Sequence, residues 1–319
     1  MTLTFKNEVH GPEAAYLFPG QGAQAVGMGR ELYDNSSAAR DVFDQIDDAL
    51  GRSLTKVMFE GPEDELRETV NAQPGIMAVS LACMSAMEQE LDPDIMPQPV
   101  FMAGHSLGEY TALAVSGVLG VDQTALLVQE RGRLMQEACD QNPGTMAAVI
   151  GLDQMALQEV VRETGVWISN VNTGDQIVIS GERMAIARAM DLCEARGAKK
   201  VIALRVGGAF HSGLMEPARA GLMNAIESMD FQDARVPIVA NCTGAPLTDA
   251  SEIKQELLSQ VCNTVQWKDT IDYMVGSGIN SFVEIGPGRA LSGMVKRINR
   301  RAKTSNVTDL ESILKLRRN

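Results

Sequence analysis

Val100-Phe101-Met102-Ala103-Gly104-His105-Ser106-Leu107-Gly108-Glu109-Tyr110 joins an apolar, strand-like run to a helix-compatible run through Gly-His-Ser-Leu-Gly. This is G-x-S-x-G in the setting that gives the pattern meaning: a strand enters a sharp turn, a serine stands at its apex and a helix leaves. Gly104 and Gly108 suit a turn in which strand and helix come very close, and a strained apex needs permissive neighbours. The Ser106 hydroxyl then lies beside a helix N-terminus, where backbone N–H groups meet an oxyanion. The bland alternative is a glycine-rich turn that happens to hold a serine. The strand before it and the helix after it favour a nucleophile.

The chain has 319 residues, enough for a sizeable core and two domains, or one domain with an insertion. Hydrophobic residues make up 45% and charged residues 22%, as in a soluble globular protein. Aromatics are scarce at 4%, so the 18 methionines are expected to fill core space. A net charge of −13 argues against nucleic-acid binding through the overall field. Two local basic clusters, Lys199/Lys200/Arg205 and Lys296/Arg297/Arg300/Arg301, remain for an acidic partner, with solvated element ends as the alternative for each. The five cysteines are scattered, without a C-x-x-C pair, which points to reduced thiols, no metal site and a cytoplasmic protein. Met1 to Pro12 is polar and reads as a loose leader without a signal-peptide core, and no run is long enough to span a membrane.

Alternating strands and helices predict an α/β fold with a mostly parallel sheet and helices on both faces. Ala14 to Phe18 and Val100 onward read as buried strands, and Ile76 to Glu90 as a helix with an apolar stripe. Asp122 is placed to cap the next helix, which runs to about Asp140. From Gly144 to Val206 the order becomes βαββαβ, the split-βαβ ferredoxin-like unit. The expected organisation is therefore a discontinuous main domain, 13–143 and 207–302, an inserted small domain, 144–206, and a polar C-terminal tail, 303–319.

A serine nucleophile needs a base, and the chain offers only three histidines. His10 lies in the leader. His105 precedes the serine, so its side chain should point the other way on leaving the strand. His211, where the small domain returns to the large one, is the remaining candidate, with a satisfied structural histidine as the alternative. Arg131 falls on the apolar stripe of its helix, at i+4 from Leu127 and i−3 from Leu134. An inward guanidinium needs an anion. A structural ion pair and a clamp on a substrate carboxylate both satisfy that need. Gly20-Gln21-Gly22 follows a strand and has a dinucleotide-binding reading, weakened by Pro19 and by the absence of a strand-end acid. The stronger reading has the loop's N–H groups face the serine and complete an oxyanion hole with the Leu107 N–H. No acid between Ser106 and His211 suits a triad, which leaves a backbone carbonyl to orient the base.

Taken together, the motifs resemble the malonyl-CoA:acyl carrier protein transacylase family, to which polyketide synthase acyltransferase domains are similar. The resemblance runs from about Ala15 to Arg300. It rests on Phe18-Pro19-Gly20-Gln21-Gly22, Asn71-Ala72-Gln73-Pro74, Gly104 to Tyr110, Glu130-Arg131-Gly132-Arg133-Leu134-Met135, Ala209-Phe210-His211-Ser212, Val265-Gln266-Trp267 and Glu284-Ile285-Gly286-Pro287-Gly288. It implies a hydrolase-like α/β domain with a ferredoxin-like insertion. It implies that Ser106 is acylated, that His211 is the base, and that Arg131 holds the malonyl carboxylate. It also implies that the Gln21 and Leu107 N–H groups form the oxyanion hole, that the Gln260 carbonyl orients His211, and that Gln73 and Asn172 line the pocket. Phe210 would suit an unbranched malonyl group. The implied partners are malonyl-CoA and an acyl carrier protein bearing phosphopantetheine, with no cofactor, no nucleic acid, no membrane and a monomeric enzyme. Three positions depart from the family pattern. Gly213 and Thr264 stand where proline is common, the latter expected to loosen the segment carrying Gln260, and Gly208 stands where histidine is common.

Overall fold

The computed structural model describes residues 11–317; His10 and the rest of the first ten residues of the leader lie outside them. Five buried apolar residues make β1 (Glu13–Phe18) a strand with no polar face, as a central parallel strand requires. The N-terminal layer follows as α1 (Arg30–Asn35), α2 (Ser37–Leu50), α3 (Leu54–Glu60), α4 (Glu63–Arg67) and α5 (Thr69–Glu90). Helix α5 starts seven residues earlier than its apolar stripe suggests and carries Pro74 inside it. It is buried all round from Asn71 to Met87, so its ends are poorly marked by an amphipathic pattern. The chain continues through β2 (Gln98–Gly104), α6 (Leu107–Val115) and α7 (Val121–Gln141). Gly120, not Asp122, is the N-cap of α7; Asp122 sits in its first turn.

The next segment is β3 (Gly144–Ile150), α8 (Gln154–Thr164), β4 (Trp167–Thr173), β5 (Gln176–Glu182), α9 (Arg183–Ala195) and β6 (Lys200–Ala203). It forms a separate antiparallel sheet in the order β4-β5-β3-β6. Asp153 caps α8 by accepting from Met155 and Ala156 N–H, and Gly165 ends that helix in the left-handed region. Beyond it come α10 (Glu216–Glu227), β7 (Ile238–Val239), β8 (Pro246–Leu247), α11 (Ala250–Gln260), α12 (Trp267–Gly276), β9 (Ser281–Ile285), α13 (Ala290–Ile298), β10 (Lys303–Val307) and α14 (Leu310–Leu316).

The main sheet has the order β10-β9-β1-β2-β7-β8 and is parallel except for β7–β8. Residues 303–319 were expected to be a polar tail. Instead, residues 303–307 add β10 to the edge of this sheet beside β9, and α14 follows, with Ile313 buried. An edge strand with only Val307 fully buried has almost no hydrophobic signature, which is why its sequence looks like a tail. The two sheets touch where Val265 pairs with β4. Val171 N–H donates to Val265 O at 2.9 Å, and Val265 N–H donates to Ser169 O at 2.8 Å. Thr264 does not loosen this junction, because its hydroxyl donates to Ile168 O at 2.6 Å. Among the described residues no helix is long and apolar enough to cross a membrane.

Candidate active site

Strand β2 and helix α6 meet at Ser106, which adopts φ 54° and ψ −105°. Ser106 and His211, also at φ 54°, are the two non-glycine residues in the left-handed region among those described. Such conformations are costly and persist where the surroundings over-determine them. The glycines flanking Ser106 have a direct reason. A Cβ on Gly104 would fall 1.8 Å from the Gly108 carbonyl carbon, and one on Gly108 would fall 2.0 Å from Phe18 O. The first strand, the turn and the helix are therefore in backbone contact.

His211 lies in the segment between β6 and α10, where the chain leaves the small sheet. Its Nε2 lies 2.7 Å from Ser106 Oγ, and its Nδ1 lies 2.7 Å from Gln260 O. A carbonyl only accepts, so Nδ1 carries the proton and Nε2 presents its lone pair to the Ser106 hydroxyl. Burial, reinforced by the Arg131 cation, holds the His211 imidazole down at about 3. The ring is neutral at physiological pH and free to accept a proton.

Arg131 is 1% exposed, the most buried cation in the chain's described part. Its hydrogen-bond acceptors are all neutral: Gln73 Oε1 at 2.6 Å, Gln260 Oε1 at 2.9 Å and Ser106 Oγ at 3.1 Å. Its Cζ lies 5.0 Å from the centre of the Tyr110 ring, and its Nε is buried without a hydrogen-bond partner. The structural ion pair left open by the sequence is not what surrounds it. Glu109 makes no hydrogen bond to the guanidinium: its Oε2 accepts from Gln260 Nε2 at 2.7 Å, and it acts on Arg131 by charge at longer range. Arg133, two residues on, faces out and pairs with Glu130 and Glu137.

The remaining predicted residues divide. Gln73 is buried against Arg131, and Gln260 contributes both its carbonyl and its side chain. Gly20 packs against the turn so closely that a Cβ would lie 2.3 Å from His105 O, and the side chain of the next residue, Gln21, donates from Nε2 to Thr69 Oγ1 at 3.4 Å. No helix starts directly after that loop, which removes the anion-binding geometry of a dinucleotide fingerprint. Gly108 and Glu109 N–H groups bond back to His105 O and Ser106 O, so Leu107 supplies the N–H left over at the apex. Asn172 does not reach the dyad; its Oδ1 lies 3.0 Å from His105 Nε2. His105 thus faces the small domain, with its ring centre 5.4 Å from that of Trp267 in a tilted arrangement. Phe210 is buried in the main hydrophobic core beside His211. Gly208 cannot be replaced freely, since a Cβ there would fall 2.0 Å from Cys139 Sγ. Sequence reasoning missed Asn241, whose Oδ1 accepts from Ser106 N–H at 2.8 Å, and Glu109, whose carboxyl is pushed up by burial beside Glu256. Their only signal was polarity in otherwise apolar stretches.

The arrangement offers a hydroxyl activated by a neutral imidazole, backbone donors at its apex and a buried cation alongside: the parts needed for acyl transfer to serine from an anionic acyl donor. A family profile described as "Acyl transferase domain" matches residues 15–319. The chain is 41% identical over 305 residues to the malonyl CoA-acyl carrier protein transacylase of Bacillus subtilis, covering 94% of each chain. Among solved structures it is similar to an acyl-carrier-protein-S-malonyltransferase from Bartonella henselae, at 41% identity and a TM-score of 0.91, covering 96% of this chain and 98% of that one. It also resembles a malonyl-transacylase solved in complex with its type II PKS acyl-carrier protein, at 36% identity and a TM-score of 0.91, covering 96% of this chain and all (100%) of the other. With the matched profile spanning nearly its whole length, the chain belongs to the acyl transferase domain family.

Proposed function

We propose that this chain moves a malonyl group from malonyl-CoA to the phosphopantetheine thiol of an acyl carrier protein through a malonyl-Ser106 ester. The observation that carries the proposal is Ser106 Oγ held between a neutral imidazole, 2.7 Å away, and a buried guanidinium, 3.1 Å away. His211 Nε2 takes the Ser106 proton as Oγ attacks the thioester carbonyl. The developing oxyanion is stabilised by the Gln21 and Leu107 N–H groups. The tetrahedral adduct collapses, the C–S bond breaks, and the imidazolium returns its proton to the CoA thiolate. The carrier's thiol then gives its proton to His211, attacks the ester, and Ser106 leaves with that proton. The Gln260 carbonyl keeps the ring in the right tautomer throughout. Arg131 pairs with the free carboxylate of the malonyl group, while Gln73 and Gln260 hold the guanidinium in place. Phe210 and Asn172 act less directly, one as a wall beside His211 and the other by fixing His105.

The finer fold reading is a hydrolase-like main domain with residues 144–206 as a ferredoxin-like insertion. Its support is the strand–turn–helix around Ser106 and the βαββαβ order of the small sheet. Ser106, His211 and Arg131 come from one chain, which supports a monomer as the working unit, and the unpaired cysteines suit a cytoplasmic setting. The experiment is acylation by malonyl-CoA followed by intact mass. A malonyl adduct on Ser106 that carrier protein discharges is expected. Rapid release of free malonate without carrier would mark a thioesterase instead. Fatty-acid and type II polyketide carriers compared side by side identify the thiol acceptor.

A further inference from the structure

We propose that Glu109 is a positioning residue that holds the Ser106 backbone from both sides and aims the Leu107 N–H at the reacting carbonyl. The inference rests on Ser106 being the acylated nucleophile. Glu109 stands in the first turn of α6, is 2% exposed, and its carboxyl lies against Asn241 and Gln260. Its two oxygens serve two different arms. Oε1 accepts from Asn241 N–H at 2.9 Å, and Asn241 in turn clasps the turn: its Oδ1 accepts from Ser106 N–H at 2.8 Å, and its Nδ2 donates to Gly104 O at 2.7 Å. Oε2 accepts from Gln260 Nε2 at 2.7 Å, and the same nitrogen donates to Ser106 O at 2.8 Å.

Both peptide groups of Ser106 are therefore held by side chains that are themselves anchored on one carboxyl group. The second arm has a catalytic consequence. A trans peptide is planar, so fixing the direction of the Ser106 C=O fixes the opposite direction of the Leu107 N–H. That N–H is the proposed oxyanion donor. The strained φ of Ser106 needs such over-determination, and the two arms supply it.

A carboxylate suits this place because both of its oxygens accept hydrogen bonds, and the Asn241 and Gln260 donors with the Arg131 charge favour the ionised form against the upward push of burial. A glutamine of the same shape has one oxygen and one NH2 group, so it must turn a donor toward either Asn241 N–H or Gln260 Nε2. The Gln260 amide cannot flip to relieve this, since Arg131 needs its oxygen and Ser106 O needs its nitrogen. The mismatch therefore loosens one arm of the brace while leaving volume, and the contacts of Arg131, intact.

The test uses the full chain and single-turnover acylation by malonyl-CoA and acetyl-CoA, read by intact mass, with thermal melting as the check on folding. Glu109→Gln is expected to lower the rate at saturating malonyl-CoA by about 10- to 100-fold, the scale of a misplaced nucleophile or a lost oxyanion donor. The half-saturating malonyl-CoA concentration is expected to stay within about threefold, and the malonyl-to-acetyl ratio to stay unchanged, because Arg131 keeps its partners. Asn241→Ala is expected to show the same pattern, and the double variant to be no slower than the slower single, since both act on the same peptide. A wild-type rate in folded Glu109→Gln overturns the proposal. So does a loss expressed in half-saturation, or losses that add in the double variant. If Glu109→Gln does not fold, Asn241→Ala decides alone on the same split. Ser106→Ala separates the two levels. Continued acylation in that variant brings down the underlying reading, whereas blocked acylation beside an unaffected Glu109→Gln brings down only this inference.

Discussion

Replacing Arg131 by alanine removes the buried cation that bonds to Ser106 Oγ, and the cost depends on what the acyl donor carries. In the free protein the guanidinium is held by neutral acceptors at 2.6, 2.9 and 3.1 Å. A malonyl carboxylate arriving there gains a charge-assisted pair in a site shielded from water. Two hydrogen bonds to a charged group are worth about 1.5–3 kcal/mol each. Allowing for the neutral contacts given up, the clamp is worth about 3–5 kcal/mol, or about 100- to 3,000-fold in kcat/KM at about 1.4 kcal/mol per decade. Acetyl has no carboxylate and loses none of this. The variant also loses the contact from Arg131 to Ser106 Oγ and leaves a cavity, but both effects act on either donor alike. The ratio of malonyl to acetyl acylation rates therefore isolates the clamp, and it is expected to fall by about 100-fold or more. The assay is the rate of adduct formation at low donor concentration, read by intact mass. A ratio that stays within about threefold of wild type refutes the clamp, whatever happens to the absolute rates.

Two further outcomes follow from the same geometry. The His211 ring must be neutral to accept the Ser106 proton, and burial with Arg131 nearby holds it at about 3, below the usual histidine value. Acylation should therefore stay level from about pH 8 down to about pH 5, where an ordinary histidine would already be protonated. In Arg131→Ala the acid limb should move up, and a wild-type midpoint near about 6.5 in single-turnover rates contradicts the argument. Thr264→Val removes the hydroxyl that ties the Gln260 segment to Ile168 O at 2.6 Å. A loss of about 1–2 kcal/mol is expected by calorimetry, with Thr264→Ser close to wild type, and an unchanged melting temperature for Thr264→Val counts against the tie.

Much of the site is legible in the amino-acid sequence, for local reasons. Gly104 and Gly108 around Ser106 declare a close strand–helix turn, and the backbone contacts at 1.8 and 2.0 Å are the physical form of that constraint. Helical periodicity turns Arg131 inward. The scarcity of histidines leaves His211, and the missing acid leaves a carbonyl to orient it. The polar edge strand β10 is illegible because an edge needs little apolar surface, and the early start of α5 is hidden by burial on every side.

By itself, then, the sequence determined the alternation of elements, the nucleophile turn and the side chains able to do acid–base and charge chemistry, since these follow from spacing within a few residues. Only the tertiary structure decided which groups meet. Gln260 lies 154 positions from Ser106 and Asn241 lies 135 positions away, yet both bond to its peptide groups. Such contacts depend on strand order and on how two sheets dock, and hydrogen bonds between distant segments leave no period in the chain. The same cause made Arg131 ambiguous in sequence. Whether an inward cation is already neutralised or waits for a substrate anion depends on which acceptors the fold brings to it, and here the fold brings amides and a hydroxyl.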